Sequence, residues 1–466
     1  MRRCSSSRLC STLPHPEQRV SPRRFRARAA SVSAVTVLAA ALTSACTPPP
    51  SPPANAANHG PPIDTSSQSG LRAQQTLDML NSDWPIGPVG VRTLATSNQV
   101  ESVESTMEHL WWDRPFELDS VDLQMSSATL HLRTSYGAHQ NIRLHLDDDG
   151  RVDEFDVDTQ PPAIRSWADV DATLSRSGAR YSYQAAKIVD GHCERVAGAH
   201  TDLPLPMASI FKLYVLHALA EAVHAGTVSW NDQLTITEKS KAVGSSGLDV
   251  PVGSHISVRT AADKMIAASD NMATDLLIDK MGPAAIDHAL VTAGHHDPAS
   301  MTPFPTMHDL FSIGWGKPDV REQWRQGSPE QRARLLEQAD TAPYEPDPLR
   351  AHTPASSFGV EWYGTAEDIC RVHTRLQADA VGAAAPVSTI LSAVPGVDLD
   401  RERWPYIGAK AGGLPGDLTF SWYAVDKNHQ PWVLSFQLNW LRDHGPYVTR
   451  WMLSMARQAF DLIGSR

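Results

Sequence analysis

Residues 208–225 read ASIFKLYVLHALAEAVHA, and the first five of them decide the reading of the chain. Ala208 to Ala225 is expected to form a long apolar helix. Ser209 and Lys212 stand at i and i+3 near its start, so their side chains share one face. A lysine so placed can take the serine proton if its ammonium form is destabilised, which burial and a second nearby cation both do. The helix N-terminus adds a field that favours negative charge near Ser209. Of the nine lysines, Lys212 alone has a serine three positions before it. Taken by itself the pattern also fits a capping Ser followed by an exposed Lys.

Two further stretches belong beside it. Ser269-Asp270-Asn271 occurs once, inside an otherwise apolar run in which a helix is expected over Asp263–Met272. Three small polar residues there either interrupt the helix as a cap or turn, or place Ser269 to relay a proton and Asn271 to orient Lys212 or a substrate. Lys410-Ala411-Gly412-Gly413 lies at the end of a strand expected over Tyr406–Ala411. Its lysine would supply positive charge to Ser269 and to an anionic substrate. Its small residues would let a substrate lie along the strand edge.

The three pieces together resemble the S-x-x-K, S-D-N and K-T-G motifs of the serine β-lactamase and penicillin-binding protein superfamily, which occur in this order. The spacing from Ser209 to Ser269 is similar to the class A pattern, and the resemblance covers residues 163–466. It implies an antiparallel sheet flanked by helices plus an all-helical half. Ser209 would be the nucleophile and Lys212 the base. Ser269 and Lys410 would deliver a proton to the leaving group, and Asn271 would orient. Backbone N–H groups of Ser209 and Gly413, with Gly412 beside them, would form the oxyanion hole and substrate edge. Thr302-Pro303-Phe304-Pro305-Thr306 and Val360-Glu361-Trp362-Tyr363 resemble more narrowly a group of actinobacterial proteins similar to the β-lactamase-like esterase of clavulanic acid biosynthesis. That group carries a small isomerase-like domain in front.

Two departures matter. Class A enzymes clear the acyl-enzyme with a Glu on a loop after S-D-N, and no Glu occurs here between Glu238 and Glu322. Asp309 is the nearest carboxylate, but with Thr306 it reads as a capping box. Ala411 replaces the hydroxyl residue of K-T-G. Both losses point toward an esterase or a weak β-lactamase, with an ester, a β-lactam or a cell-wall peptide as small-molecule substrate. A D,D-peptidase and a β-lactam or peptidoglycan sensor that does not turn over are the rival readings. No cofactor is implied, and the residues imply no metal. The histidines are scattered without a ligand spacing, and His295-His296 beside Asp297 reads as the cap of a surface loop.

The first 46 residues hold eight Arg and one acidic residue, a charge of +7 against −11 for the whole chain, which leaves about −18 for the rest. So acidic a body disfavours nucleic acid as a partner. Arg23, Arg24, Arg26 and Arg28 precede an apolar stretch from Ala29 to Ala45. Leu42-Thr43-Ser44-Ala45-Cys46 resembles a bacterial lipobox, with Thr43 where an aliphatic residue is usual. The expectation is a lipoprotein signal over 1–46, lipid attachment at Cys46 and an extracytoplasmic, membrane-anchored protein. Cys4 and Cys10 lie in this leader. Cys193 and Cys370 are far apart in the body, and no disulfide is predicted from them.

Residues 47–70 read as a Pro/Ser-rich linker. Residues 71–162 read as a small α+β domain without a single lysine. Helices are expected at about 71–82 and 99–111, then three strands, the last two joined at Asp148-Asp149-Gly150. Helices before a curved antiparallel sheet suggest a cone like that of nuclear transport factor 2. Strands are expected on either side of Asp190-Gly191 and over Leu418–Asp426 and Trp432–Trp440, with helices at Pro283–Ala293, Thr365–Gln377 and Tyr447–Ile463. Residues 315–360 read as an inserted helical excursion.

Overall fold

A computed structural model describes residues 60–237, 239–240 and 251–463. The proposed leader with Cys4, Cys10 and Cys46, the linker up to residue 59, and Glu238 lie outside the described residues.

The chain opens with α1 (Gln68–Leu80), α2 (Pro88–Leu94) and α3 (Val100–Trp111). Four strands follow, β1 (Glu117–Leu123), β2 (Ser127–Arg133), β3 (His139–Leu146) and β4 (Val152–Thr159). They form one antiparallel sheet in chain order. Alternation sets its faces. Leu130, Leu132, Ile142 and Leu144 point to a core shared with Ala73, Leu77, Met107 and Leu110 of the helices. Two elements were not anticipated. In α2 the Pro and Gly residues mask the helical signal, and in β1 Leu118 is the only buried residue. The linker also ends sooner than expected, because Ser67 caps α1 through Gly70 N–H at 3.1 Å.

The rest of the chain builds a sheet from both of its ends. After α4 (Trp167–Ser175) come β5 (Arg180–Val189), β6 (His192–Ala199) and the short β7 (Leu205–Pro206). A helical half follows, made of α5 (Lys212–His224), a hairpin of β8 (Gln233–Thr235) and β9 (His255–Ser257), α6 (Val258–Ala267), α7 (Asn271–Met281) and α8 (Pro283–Thr292). The excursion holds α9 (Met307–Trp315), α10 (Arg321–Gln326) and α11 (Pro329–Thr341). Then β10 (Tyr363–Gly364), α12 (Ala366–Asp379) and α13 (Pro386–Ser392) lead to β11 (Tyr406–Leu414), β12 (Asp417–Val425), β13 (Pro431–Asn439) and α14 (Tyr447–Ile463). The antiparallel order is β11-β12-β13-β5-β6. In α14, Val448, Trp451, Met452, Met455, Ala459 and Phe460 recur at helical spacing and cover one face of the sheet. In α5, ten of the thirteen residues are buried, so it is the central helix of the other half.

The two cores are joined. Arg442 donates to the backbone oxygens of Trp112 and Arg114, and Gly445 N–H donates to Asp113 Oδ1 at 2.9 Å. Trp112 stacks on His352 with 4.0 Å between ring centres, and Tyr447 at the start of α14 packs into the core of the first sheet.

Cys193 on β6 and Cys370 on α12 form a disulfide, a pairing the sequence left open. The pairing depends on α12 crossing the β6 edge, which residues 177 apart do not announce. Replacing both cysteines by Ser is expected to lower stability by about 2–5 kcal/mol. Thermal unfolding of the variant beside the native protein checks this. An unchanged midpoint, or two free thiols titrated in the unfolded native protein, would rule out the bridge.

Candidate active site

The nucleophile candidate does not sit in an α-helix. Residues 208–211 form a 3-10 turn, and α5 begins at Lys212. Ala208 has a left-handed φ of 43°, which a residue with a Cβ adopts only at a cost. The following strand lies very close. A Cβ on Gly412 would stand 2.5 Å from Ser209 N and 2.7 Å from Thr419 Oγ1, so only glycine lets β11 pass here. Glycines at 412 and 413 therefore do not end β11, which continues to Leu414 with Gly412 opposite Thr419 and Gly413 opposite Leu418. Pairing with β12 supplies what a glycine-rich strand lacks in intrinsic preference.

Ser269 is likewise not inside a helix. The helix expected over Asp263–Met272 breaks at residues 268–270, between α6 and α7. Ser269 has φ 55°, and Asp270 caps α7 by accepting Ala273 N–H at 2.8 Å. The polar triplet is a break that turns Ser269 and Asn271 toward Lys212.

Two lysines meet on that break. Lys212 Nζ donates to Ser269 O and Asn271 Oδ1, both at 2.6 Å, and to Ser269 Oγ at 3.2 Å. Lys410 Nζ donates to Ser269 Oγ at 3.0 Å and to Ala411 O at 2.6 Å. Both lysines are buried. Burial, reinforced by the charge of Lys410, drives the Lys212 amine well below the ordinary lysine range, against the pull of Asp270 and Asp275. Burial lowers Lys410 to about 7. A Ser269 hydroxyl that accepts from both amines has its own proton free to donate outward. The arrangement can therefore accept a proton at Lys212 and pass one on through Ser269. Behind β11, His373 Nε2 bonds Ser421 Oγ at 2.8 Å, and Ser421 donates to Lys410 O. Burial holds His373 down at about 3, so it supports the strand as a neutral ring.

Of the residues singled out from sequence, Lys212, Ser269, Asn271 and Lys410 share one hydrogen-bonded cluster. Ser209 and Gly412 meet beside it through the backbone, with Gly413 next along β11. Asp309 is not free for chemistry. Its Oδ2 accepts Thr306 N–H at 2.9 Å and Thr306 Oγ1 at 2.8 Å, closing the capping box of α9. Asp275 is tied by Met307 N–H at 2.7 Å and His308 N–H at 2.9 Å, and burial pushes it up to about 8.

His295 and His296 are not a surface cap. His295 is buried and bonds Tyr363 O at 2.9 Å, while His296 Nδ1 lies 2.5 Å from Asp368 Oδ2. The Asp368 carboxylate at the start of α12 draws both in. With Asp368 these two make the one His/carboxylate cluster among the described residues with metal-ligand proximity. Its oxygens already accept from Thr365, His296 N–H and Arg371, and a cation would compete with that guanidinium.

Sequence reasoning passed over Glu361 and Thr419. Thr419 Oγ1 donates to Met207 O at 2.8 Å. Glu361 lies buried opposite Ala208, because Tyr363–Gly364 pairs with Leu205–Pro206 and the register continues one residue on, with Met207 N–H donating to Trp362 O at 2.8 Å. Phe211 stacks on Trp362 at 3.7 Å and holds the two segments together.

Residues 166–340 match the family model of the β-lactamase enzyme family, and residues 63–152 match that of the ORF 12 gene product N-terminal region. No curated protein matches the sequence. A β-lactamase from Sphaerobacter thermophilus aligns at 18% identity over 64% of this chain and 99% of its own, with a TM-score of 0.44. The penicillin-binding protein PBP-A aligns at 17% identity over 65% and 98%, with a TM-score of 0.42. A class A β-lactamase reconstructed as the last common ancestor of Gram-negative bacteria aligns at 17% over 64% and 97%, with a TM-score of 0.44. The family match is in keeping with a β-lactamase-like fold for this part of the chain.

Proposed function

We propose that the chain is an exported serine hydrolase that works through an acyl-enzyme on an ester or β-lactam carbonyl, with short esters preferred. The observation that carries this is the convergence of two buried lysines, both held below their ordinary range, on the Ser269 hydroxyl, with Ser209 three residues before the first of them. A buried ammonium pair is costly to a fold, and acyl transfer is a use for it. Ser209 Oγ attacks the carbonyl while Lys212 takes its proton. Ser209 and Gly413 N–H groups receive the oxyanion, with Gly412 leaving room for the approach. Ser269 and Lys410 return a proton to the leaving group, and Asn271 keeps Lys212 oriented. The preference for esters rests on Ala411, which offers no hydroxyl to a substrate carboxylate.

The reading extends to the rest of the chain. Residues 1–46 act as a lipoprotein signal, Cys46 carries the lipid, and 47–70 tethers a cone-like, nuclear transport factor 2-like domain over 71–162 and the hydrolase over 163–466. The disulfide is in keeping with an oxidising compartment. Replacing Cys46 by Ala is expected to move the protein from the detergent phase to the aqueous phase in two-phase partitioning; unchanged partitioning would remove the anchor.

Intact-protein mass after exposure to a panel of β-lactams and activated esters tests the central claim. The expected result is an acyl increment on the peptide bearing Ser209 or turnover of an ester. A protein that neither gains mass nor turns over any member of the panel is not the hydrolase described here.

A further inference from the structure

The turn that carries Ser209 is held in an unusual way. One peptide group, Met207–Ala208, is gripped at both ends. Thr419 Oγ1 donates to its carbonyl oxygen at 2.8 Å. On the other side its N–H, that of Ala208, faces the Glu361 carboxyl, which lies opposite it where the short β7–β10 pairing continues by one residue. Ala208 then takes the left-handed conformation, and the next N–H is that of Ser209, packed against Gly412.

Glu361 is poorly placed for stability. Its Oε1 accepts Trp362 N–H at 2.8 Å, but Oε2 is buried without a hydrogen-bond partner. The charged group that acts on it is another carboxyl, Asp417, which is buried with Ser356 Oγ at 3.2 Å and Asn439 Nδ2 at 2.6 Å. Among the described residues no guanidinium or ammonium pairs with Glu361. A buried acid with an orphan oxygen beside a second acid destabilises a fold as an unpaired buried polar group does. An apolar residue of similar size would be the cheaper choice for packing alone. Local costs of this kind gather where function constrains the chain.

We propose that Glu361 is a positioning residue of the acyl-transfer site. With Thr419 it fixes the plane of the 207–208 peptide, and through it the direction of the Ser209 N–H that receives the oxyanion. This rests on the reading of Ser209 as nucleophile. Glu361 acts on Ser209 through the backbone of Ala208, so its loss is expected to slow the acylation step more than it weakens substrate binding.

The test uses the full chain and single-turnover acylation by a chromogenic short-chain ester, with KM and thermal midpoint measured alongside. Glu361→Leu removes the acceptor and is expected to slow acylation about 10²-fold, the scale of one disabled oxyanion donor, with KM changed less than threefold. Its thermal midpoint should equal or exceed that of the native protein. Glu361→Gln keeps an acceptor oxygen and should retain the rate within threefold. Thr419→Val, nearly the same shape, releases the other end of the peptide and should slow acylation with the same unchanged KM. Acylation of the folded Leu variant within threefold of native overturns the proposal, as does a loss that only tracks the unfolded fraction, or a Gln variant as slow as the Leu variant. Labelling by a fluorophosphonate separates the two ideas. A native protein that is not labelled at Ser209 removes the nucleophile and this proposal with it. A native protein and a Leu variant labelled at equal rates remove this proposal alone.

Discussion

Replacing Ser209 by Ala is expected to abolish turnover of an activated ester, a loss of about 10³–10⁶-fold, while the fold stays intact. The change removes one oxygen from a 3-10 turn whose fixed features are backbone contacts and the burial of Ile210 and Phe211. Neither depends on the hydroxyl. Lys212 and Lys410 keep their partners on Ser269 and Asn271, so the variant should retain the native circular dichroism spectrum and thermal midpoint. What it loses is the atom that forms the covalent bond. Steady-state hydrolysis beside a spectrum of the same sample checks both halves. Native turnover in a folded Ser209→Ala variant would mean that another group is the nucleophile.

The second large effect concerns release of the acyl group. Penicillins are expected to acylate Ser209 slowly and to stay attached, whereas short esters turn over. Clearing an acyl-enzyme needs a base aimed at water on the ester carbonyl, worth about 10²–10⁴-fold. Among the described residues, the buried carboxyls of the helical half each give at least one oxygen to a backbone donor, as Asp270 does in capping α7. Asp309 closes a capping box, Asp275 holds the start of α9, and Glu361 is occupied with the backbone N–H of Trp362. A small acyl group leaves room for water beside Lys212, whose basicity is depressed by burial and by the charge of Lys410. A bulky penicilloyl group does not. Stopped-flow comparison of a chromogenic cephalosporin with a short-chain ester, followed by intact mass over time, separates the outcomes. Rapid and complete β-lactam turnover that outpaces the ester would refute the expectation.

How much of this was legible from sequence depended on the range over which each signal acts. Ser209 and Lys212 are one helical turn apart, and their relation is local. The strands β11 to β13 announce themselves by apolar runs, and α14 by its spacing. Signals failed where a tertiary contact overrode a local one. The strand was expected to end at Ala411 because glycine is a weak strand former, but the approach of Ser209 N demands glycine within a strand at Gly412. Ser269 sat in an apolar run, and only its left-handed backbone reveals the break. Glu361 could be singled out within Val360–Tyr363 without any role, since the register that sets it against Ala208 comes from a two-residue strand pair. The Cys193–Cys370 bridge and the burial of His295 depend in the same way on where α12 lies.

The seam between the two cores carries a consequence for modularity. In sequence the first sheet and the hydrolase look like beads on a string. In energy they share groups that neither could satisfy alone. Arg442 needs the carbonyls of Trp112 and Arg114, Asp113 needs Gly445 N–H, and Tyr447, the first residue of α14, is buried in the core of the other part. A chain cut between them would leave a guanidinium, a carboxylate and an aromatic ring each facing the wrong medium. Since α14 also covers the sheet that bears Lys410, the front part is a foundation of the half that holds the lysine cluster, and the boundary drawn along the sequence is not one along which the protein comes apart.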